Sequence, residues 1–466
     1  MSEQYVSKAP KLGAQPCLDG VRGFGIFVVV FGHASAASGA FDKLLGFTAV
    51  IDGFFVLSGF LITTLLLQEH RKKGSIDFKK FFMRRALRLF PSLWLYCAVW
   101  LTIGLVFWVT GAEVHLDGVT LTGGEFLMKL GGSVAAAFFY VFHNFFPVGV
   151  EMINKQAVAG NPLTPLWTLS IEEQFYIAMP FILYFCLKKN WMKQLMYVTL
   201  GMAVAIGIHR AIGYTGPTMT HEGSPAWLRL LWLQRPDALF LGITAAVFNA
   251  SITEEFFERH RRRFRAAGVA AFGLWIVNLQ TSHGVIRDSV STKLYVEFLP
   301  KTLPTSTAGM PMYYYRFAFS FGAILAIVFA FPMVRDKSWW LTKVWSFKPL
   351  VMLGRLAYTM YIWHGLAVVA VGLLLPGKHW ILQGTVGFVL AVMISIPIFT
   401  KFELPILMKR VQFAATNELM DLKTGEMINL DEQNQVVDPA AESVDSTTPP
   451  VVSPAEPVDP GAASPS

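Results

Sequence analysis

The sequence predicts an all-α, multi-pass membrane protein. Hydrophobic residues make up 54% of the 466 residues and charged residues only 15%, whereas soluble proteins carry about 25% charged residues. The mean hydropathy is +0.47, and the apolar residues gather into runs close to the roughly 20 residues that cross a bilayer. This composition excludes a fully disordered chain, a collagen-like fibre and a secreted disulfide-rich scaffold.

Eleven apolar runs are candidate membrane spans. They are 23–41, 48–68, 89–111, 126–146, 166–187, 194–213, 226–248, 266–280, 316–334, 350–376 and 381–402. Alternation of all eleven would put the basic loops 69–88 and 188–193 on opposite sides, although short basic loops favour the cytoplasm. Because Gly131 and Gly132 interrupt 126–146, we predict that this run is a re-entrant or interfacial segment and that about ten transmembrane helices remain.

The ten-span arrangement predicts the orientation of the chain. The basic loops 69–88, 188–193, 249–265 and 335–348 then all face the cytoplasm, and loop 112–125, which has no Lys or Arg, faces outside. Both termini are expected in the cytoplasm, with the protein in the cell membrane, the inner membrane of a bacterium. The basic residues follow the positive-inside rule and form no stripe for nucleic acid.

The chain divides into four regions. Residues 1–16 form a cytoplasmic segment without the features of a signal peptide, 17–402 the membrane domain, and 403–415 a juxtamembrane segment. Residues 416–466 carry ten acidic residues and one basic residue, a net charge of −9. Because the whole chain has a net charge of +8, residues 1–415 carry +17. This Pro/Ser/Ala-rich acidic tail is predicted to be disordered, and envelope-assembly proteins are candidate partners for it.

Metal and cofactor motifs are missing from the sequence. The three cysteines, Cys17, Cys97 and Cys186, are far apart and form no CxxC pair, so neither a disulfide framework nor a zinc site is indicated. Gly-rich phosphate loops, HExxH and GxSxG are also absent. We therefore expect neither a metal nor a bound cofactor.

Ionisable residues inside predicted spans are costly to insert and are therefore functional candidates. Arg22 stands at the mouth of the first span, and His33 lies eleven residues further on, roughly 16 Å deeper and near the bilayer midplane. A neutral imidazole there can take a proton from a hydroxyl. The alternative is a histidine that only satisfies a neighbouring hydroxyl.

Two charged pairs extend this set. Arg85 and Arg88, at positions i and i+3, share one helix face and can grip an anionic ligand, or they can serve topology and lipid headgroups. Glu172 and Glu173 point about 100° apart on a helix. One or both can orient or charge-balance an imidazole, and the alternative is a structural ion pair.

Other polar residues are predicted on the acceptor side of a site or behind its reacting groups. They are Asp52, Ser58, Tyr176, Arg235, Asp237, Arg355 and His364. Asp52 is equally well explained as a buried partner for a cation, Arg235 and Asp237 as an internal ion pair, and His364 as a packing residue.

The order of these motifs resembles that of the acyltransferase family 3 membrane proteins. The resemblance rests on Leu18–Gly23 with His33 (an Arg-x10-His spacing), Asp52–Thr63, Arg85-x-x-Arg88 before Leu89-Phe90-Pro91, Leu166–Tyr176 and Leu353–His364. It covers roughly residues 17 to 402. The chain has Trp-Thr-Leu-Ser at 167–170 where the family usually has Trp-Ser-Leu-Ser, and its tail is too short and polar for the fused SGNH domain of some members.

The resemblance implies a ten-helix domain that moves an acyl group, most often acetyl, from cytoplasmic acyl-CoA as co-substrate to a hydroxyl of an envelope glycan or glycolipid. It implies His33 as general base and Arg22, Arg85 and Arg88 as the acyl-CoA clamp. Glu172 and Glu173, with Tyr176, would serve the acceptor side or orient the histidine. Without an SGNH domain, a glycolipid or lipid-linked glycan at the membrane face is favoured.

Two other functions remain open from the sequence. A proton-coupled transporter of a polar solute or lipid-linked intermediate also uses buried Arg, Asp, Glu and His, but it predicts internal repeats that the sequence does not show. A non-catalytic envelope scaffold would act through the tail 416–466.

Overall fold

The computed structural model describes residues 5–35, 47–116, 119–142, 161–213, 236–283, 318–408, 418–420 and 427–429. The helices are α1 (Pro16–Ser35), α2 (Phe47–Lys73), α3 (Phe78–Thr110), α4 (Gly123–Phe138), α5 (Leu166–Lys188), α6 (Met192–Gly213), α7 (Pro236–Ser251), α8 (Glu254–His283), α9 (Phe319–Arg335), α10 (Trp340–Trp345), α11 (Lys348–Leu374), α12 (Trp380–Pro397), a π-helical turn (Ile398–Glu403) and α13 (Leu404–Met408). Each predicted apolar run overlaps one of these helices in its described part, which confirms the all-α prediction.

Strands occur only as two short antiparallel hairpins among the described residues. β1 (Glu113–Leu116) pairs with β2 (Val119–Thr122) between α3 and α4. β3 (Glu418–Met420) pairs with β4 (Met427–Asn429) inside the tail that was predicted to be disordered.

Five helical stretches of the described chain are long and apolar enough to cross a bilayer. They are α1, the Val50–Lys73 part of α2, α3, α11 and the continuous stretch Trp380–Met408, while the apolar helix α9 is shorter. Large apolar side chains on these stretches are exposed, among them Trp94 at 52% and Trp108 at 57%. Exposed aromatic and aliphatic side chains suit contact with lipid.

Helix α4 folds back along α3. The backbone of Gly123 touches that of Phe107, and further along α4 the Phe138 ring stacks on Trp94 at 6.3 Å. From Asn161, where the described chain resumes, the backbone lies beside α3, and the Tyr96 hydroxyl donates to the Pro162 carbonyl at 2.8 Å. Helix α4 therefore runs antiparallel to α3 from the level of Phe107 to that of Trp94, and the re-entrant or interfacial character of 126–146 stays a prediction.

Glycines bring α1 and α11 into close contact. Gly20 and Gly23 of α1 lie against Trp345 and Leu350, and His33, near the other end of α1, faces His364. Thus α1 and α11 run parallel, in backbone contact that glycine alone permits.

The basic loop after α9 is fixed by Asp336. Its carboxylate accepts hydrogen bonds from Arg265 at 2.8 Å and from the Ser338 hydroxyl at 2.7 Å. Burial alone would raise the pKa of Asp336, but these hydrogen bonds and the Arg265 charge outweigh burial and lower the pKa below its usual value. The loop is thereby fastened to α8.

Candidate active site

A cavity of about 290 Å³ opens among α1, α2, α3, α5 and α11. Polar side chains on its wall include six that the sequence singled out. They are Arg22, Ser58, Arg85, Arg88, Glu172 and Tyr176. The rest of the wall is largely apolar, a composition typical of a ligand pocket with a few orienting polar groups.

The arginine end of the cavity, formed by Arg22, Arg85 and Arg88, holds most of its charge. The Arg85 guanidinium lies 3.5 Å from the centre of the Tyr176 ring, and its Nη2 is 3.7 Å from Oε1 of Glu173. Arg22 pairs with Asp19 at 3.6 Å. A planar guanidinium stacked on an aromatic face is held in one orientation, which suits it to bind an anion.

The two adjacent glutamates point in different directions, as the 100° offset predicts. Glu172 lines the cavity and accepts hydrogen bonds from the hydroxyls of Ser58 at 2.9 Å and Tyr176 at 3.3 Å. Glu173 is buried beside Arg85. Each carboxylate therefore has its own partners, and both belong to the arginine end.

This arrangement differs from the predicted separation of an arginine clamp from acceptor-side glutamates. Helix α3 begins at Phe78, not at residue 89, because Asp77 caps it by accepting from the Lys80 amide at 3.0 Å. Arg85 and Arg88 thus lie within the bundle instead of in a loop. There they meet Glu172, Glu173 and Tyr176 of α5.

The imidazole end, formed by His33 and His364, has a different character. The two ring centroids are 4.9 Å apart. His33 Nδ1 lies 2.9 Å from the Val29 carbonyl, and His364 Nδ1 lies 2.7 Å from the Tyr361 carbonyl. Since a carbonyl only accepts, each Nδ1 carries a hydrogen, and in the neutral form of either ring the lone pair is on Nε2.

His33 lies in the last turn of α1, not at the middle of the helix. The apolar run predicted a span over 23–41, whereas α1 covers Pro16–Ser35, because Cys17, Leu18 and Val21 at its start are buried in the bundle. The cavity wall includes Val29, one turn before His33, but not His33 itself.

Tyr361 and Thr168 connect the cavity to the imidazole end. Both line the cavity; the Thr168 hydroxyl donates to the Tyr361 oxygen at 2.7 Å, and the Tyr361 hydroxyl donates to the Pro165 carbonyl at 2.8 Å. The Tyr361 ring lies 5.8 Å from that of His364. Sequence reasoning assigned neither residue to the site, although Tyr361 stands one turn before His364 on the same helix.

A family model described as an acyltransferase domain matches residues 15–400. The chain belongs to acyltransferase family 3. This confirms the resemblance that the five motifs indicate. No solved structure matches the chain.

Two curated relatives of this family 3 acyltransferase are O-acetyltransferases. The chain is 27% identical over 369 residues to the peptidoglycan O-acetyltransferase OatA of Listeria monocytogenes, covering 75% of this chain and 48% of the relative. It is 28% identical over 360 residues to the O-acetyltransferase OatA of Staphylococcus aureus NCTC 8325, covering 75% and 50%. The chain therefore spans about half the length of these relatives.

Glu403 lies close to the site without lining the cavity, and the sequence interpretation did not single it out. It is buried on the π-helical turn, accepts a hydrogen bond from the Thr359 hydroxyl at 2.9 Å and lies within electrostatic range of Arg88. We had placed position 403 at the start of a juxtamembrane segment. The sequence feature that could have pointed to Glu403 is an acidic residue directly after an apolar run. The π-helical turn is a second indication, because such turns are frequent at functional sites.

Asp52, Asp237 and Arg355 are not on the cavity wall. Asp52 is fully buried on α2, and Asp237 is buried on α7, where it accepts from the Ser320 hydroxyl at 2.8 Å. Arg355 follows Gly354, which does line the cavity. Arg235, the predicted partner of Asp237, lies outside the described residues.

The described residues also bear on the cysteine and metal expectations. Cys17, Cys97 and Cys186 are free thiols, all buried. Within the described part of the chain, no group of three His, Cys, Asp or Glu side chains is placed to hold a metal ion.

Proposed function

We propose that this family 3 acyltransferase moves an acetyl group from cytoplasmic acetyl-CoA to a hydroxyl of a cell-envelope glycan or glycolipid. The observation that carries the proposal is one cavity with three arginines at one end and an imidazole pair just beyond the other. Acetyl-CoA has phosphates at one end and a thioester at the other, so its charge distribution matches the cavity.

The arginine end would bind the donor. Arg22, Arg85 and Arg88 are guanidinium groups, which pair with phosphate oxygens through two parallel hydrogen bonds. Glu173 and Glu403 lie close to Arg85 and Arg88 and limit their movement. The basic loops would put this end of the cavity on the cytoplasmic side, where acyl-CoA is found, with both termini on that side.

The imidazole end would supply the base. His33 Nε2 takes the proton of the acceptor hydroxyl while the hydroxyl oxygen attacks the thioester carbonyl carbon. The carbon–sulfur bond then breaks, and the CoA thiolate takes the proton from the His33 imidazolium. The products are the acyl ester and free CoA, and His33 returns to its neutral form.

The acceptor is proposed from the relatives and the membrane setting. The printed name of the Listeria relative specifies peptidoglycan, which supports a glycan hydroxyl of the envelope. A glycolipid or lipid-linked glycan would reach a membrane-embedded site directly, and we include both.

Mass spectrometry of envelope glycans and lipids tests this function. We would compare a deletion strain with the same strain carrying the wild-type gene, His33→Ala or His260→Ala. His260 is a matched control because its Nδ1 also bonds a carbonyl four residues back, Phe256, at 2.9 Å, but on the charged start of α8. Wild type and His260→Ala should restore an acetylated species that the deletion and His33→Ala lack.

Two results would contradict the proposal. Normal acetylation by His33→Ala would remove the histidine from the reaction. An envelope in which no acylated species differs between deletion and wild type would remove the enzyme function, and proton-driven uptake into vesicles would then be measured to test a transporter.

A further inference from the structure

The segment before α1 is fastened across one end of the bundle. We call residues 5–15 the N-terminal strap. Its burial alternates, with Ser7 and Ala9 facing inwards at 4% and 1% exposure and Lys8 and Pro10 facing outwards. Such a period of two is that of an extended chain lying on a surface.

Three hydrogen bonds between the strap and the helices hold the strap in place. The Arg71 guanidinium donates to the Ala9 carbonyl at 2.8 Å, and the Gln68 side chain donates to the Pro10 carbonyl at 3.1 Å. The Lys8 amide donates to the Ala250 carbonyl at 2.7 Å. The strap is therefore bound to the ends of α2 and α7.

The end of the strap forms part of the cavity wall. Leu12, Gly13, Ala14 and Gln15 all line the cavity that contains Arg22, Arg85 and Arg88. Gly13 has a φ of +56°, and a Cβ placed there would meet nothing within 4 Å. Glycine is thus favoured at 13 by the backbone conformation that turns the strap towards the cavity, not by lack of space.

We propose that the N-terminal strap is a determinant of donor binding: it completes the wall of the arginine end, and its anchoring by Arg71 and Gln68 sets the affinity for the acyl donor. This inference rests on the proposed function, because it takes acyl-CoA as the occupant of the cavity. An occupant held by the arginines also contacts strap residues, so releasing the strap removes contacts from the bound donor. The strap lies away from the imidazole pair, so the transfer step itself should be unaffected.

Kinetics of the full-length enzyme in membranes test the proposal. We expect Arg71→Ala to raise the KM for acetyl-CoA by about three- to tenfold, the effect of losing roughly one hydrogen bond, with kcat unchanged. Gly13→Ala should act in the same direction. Arg71→Lys, which keeps a donor, should recover much of the loss, and Lys72→Ala, an exposed neighbouring cation, should behave as wild type.

The rate of thiol labelling measures how accessible the strap is, independently of enzymatic turnover. Cys17, Cys97 and Cys186 would be replaced by alanine, and Ala14→Cys would be labelled with a maleimide in the solubilised full-length protein. Arg71→Ala should speed labelling, and added CoA should slow it when Arg71 is present.

The outcomes separate the strap from the proposed function. Faster labelling of the Arg71→Ala protein with an unchanged KM would overturn the role of the strap in donor binding, and unchanged labelling and KM together would overturn the anchoring. If the wild type consumes no acetyl-CoA and CoA protects nothing, the proposed function fails and the donor-binding role fails with it. The labelling difference at Ala14→Cys would still show whether Arg71 anchors the strap.

Discussion

The arginine end of the cavity and the imidazole end, which lies beyond the cavity wall, satisfy their polar groups in opposite ways. Arg85 is held by other side chains, stacked on Tyr176 and paired with Glu173. His33 and His364 are held by backbone carbonyls of their own helices. Side-chain partners orient a guanidinium that can meet an incoming anion, whereas a carbonyl partner takes the Nδ1 hydrogen, so that the neutral ring has its lone pair on Nε2. The proposed function uses this difference, with donor binding at the arginine end and proton transfer at the imidazole end.

Removing the base should have the largest effect and should affect only the transfer step. We expect His33→Ala to lower kcat by roughly 10²- to 10⁴-fold, the usual contribution of general base catalysis, with the KM for acetyl-CoA within about twofold of wild type. Steady-state kinetics in membranes would measure both constants, with His260→Ala as the control. A raised donor KM without loss of kcat would show that His33 contributes to donor binding, and the two ends would then not differ in function.

Removing the arginine should affect binding instead. We expect Arg85→Ala to lower kcat/KM by about 10²-fold through a higher donor KM, since loss of one buried charge partner typically costs 2–5 kcal/mol. It should also lower thermal stability, because Glu173 is left buried without its cation.

A double variant separates these two consequences. Arg85→Met with Glu173→Gln should recover thermal stability but not donor binding, and Arg262→Ala, an exposed arginine of α8, should match wild type in both. Recovery of activity together with stability would show that Arg85 is only structural.

Changing Tyr361, which lies between the two ends, should have a smaller effect on kcat than removing His33. Tyr361→Phe keeps the ring beside His364 but removes the hydroxyl that bonds Pro165 and Thr168. We expect kcat to fall by about tenfold, corresponding to roughly one hydrogen bond. Thr359→Val, which alters a hydroxyl on the same helix that bonds Glu403, should change donor KM more than kcat. Equal effects of the two variants on kcat would mean that the ends are not distinct.

A charged group outside the cavity should affect stability alone. Asp336→Asn should lower the free energy of unfolding by about 1 kcal/mol without changing kcat or KM. Because the folded pKa of Asp336 is lowered, the stabilisation is complete above the unfolded pKa of about 3.9 and is lost as the pH falls through the folded value. The difference from wild type should therefore be constant between pH 8 and 5.

Thermal unfolding at several pH values would check this, with Glu258→Gln as control because the Glu258–Arg261 pair is exposed on α8. Loss of the Asp336 effect already at pH 6 would contradict the assignment.

The order and spacing of motifs predicted much of the site. The Arg22–His33 interval, the Arg85–Arg88 pair and the divergence of Glu172 and Glu173 all follow from helix periodicity. The spacing did not predict Tyr361, Glu403 or the strap, because the partners of each are far away in the chain. Glu403, for example, bonds Thr359 on another helix and lies in range of Arg88.

By itself, the sequence determined the class of fold, the positions of its apolar runs and the residues that cost free energy to bury. Hydrophobicity and helix geometry are local properties, so a single chain displays them. Only the tertiary structure decided how far each helix extends beyond its apolar run and which polar groups meet. Polar residues enter a membrane bundle where distant partners satisfy them, and those partners are set by parallel contacts such as that of α1 with α11. That packing places the arginine end in the cavity and the imidazole end beside it, with Tyr361 between the cavity and His364.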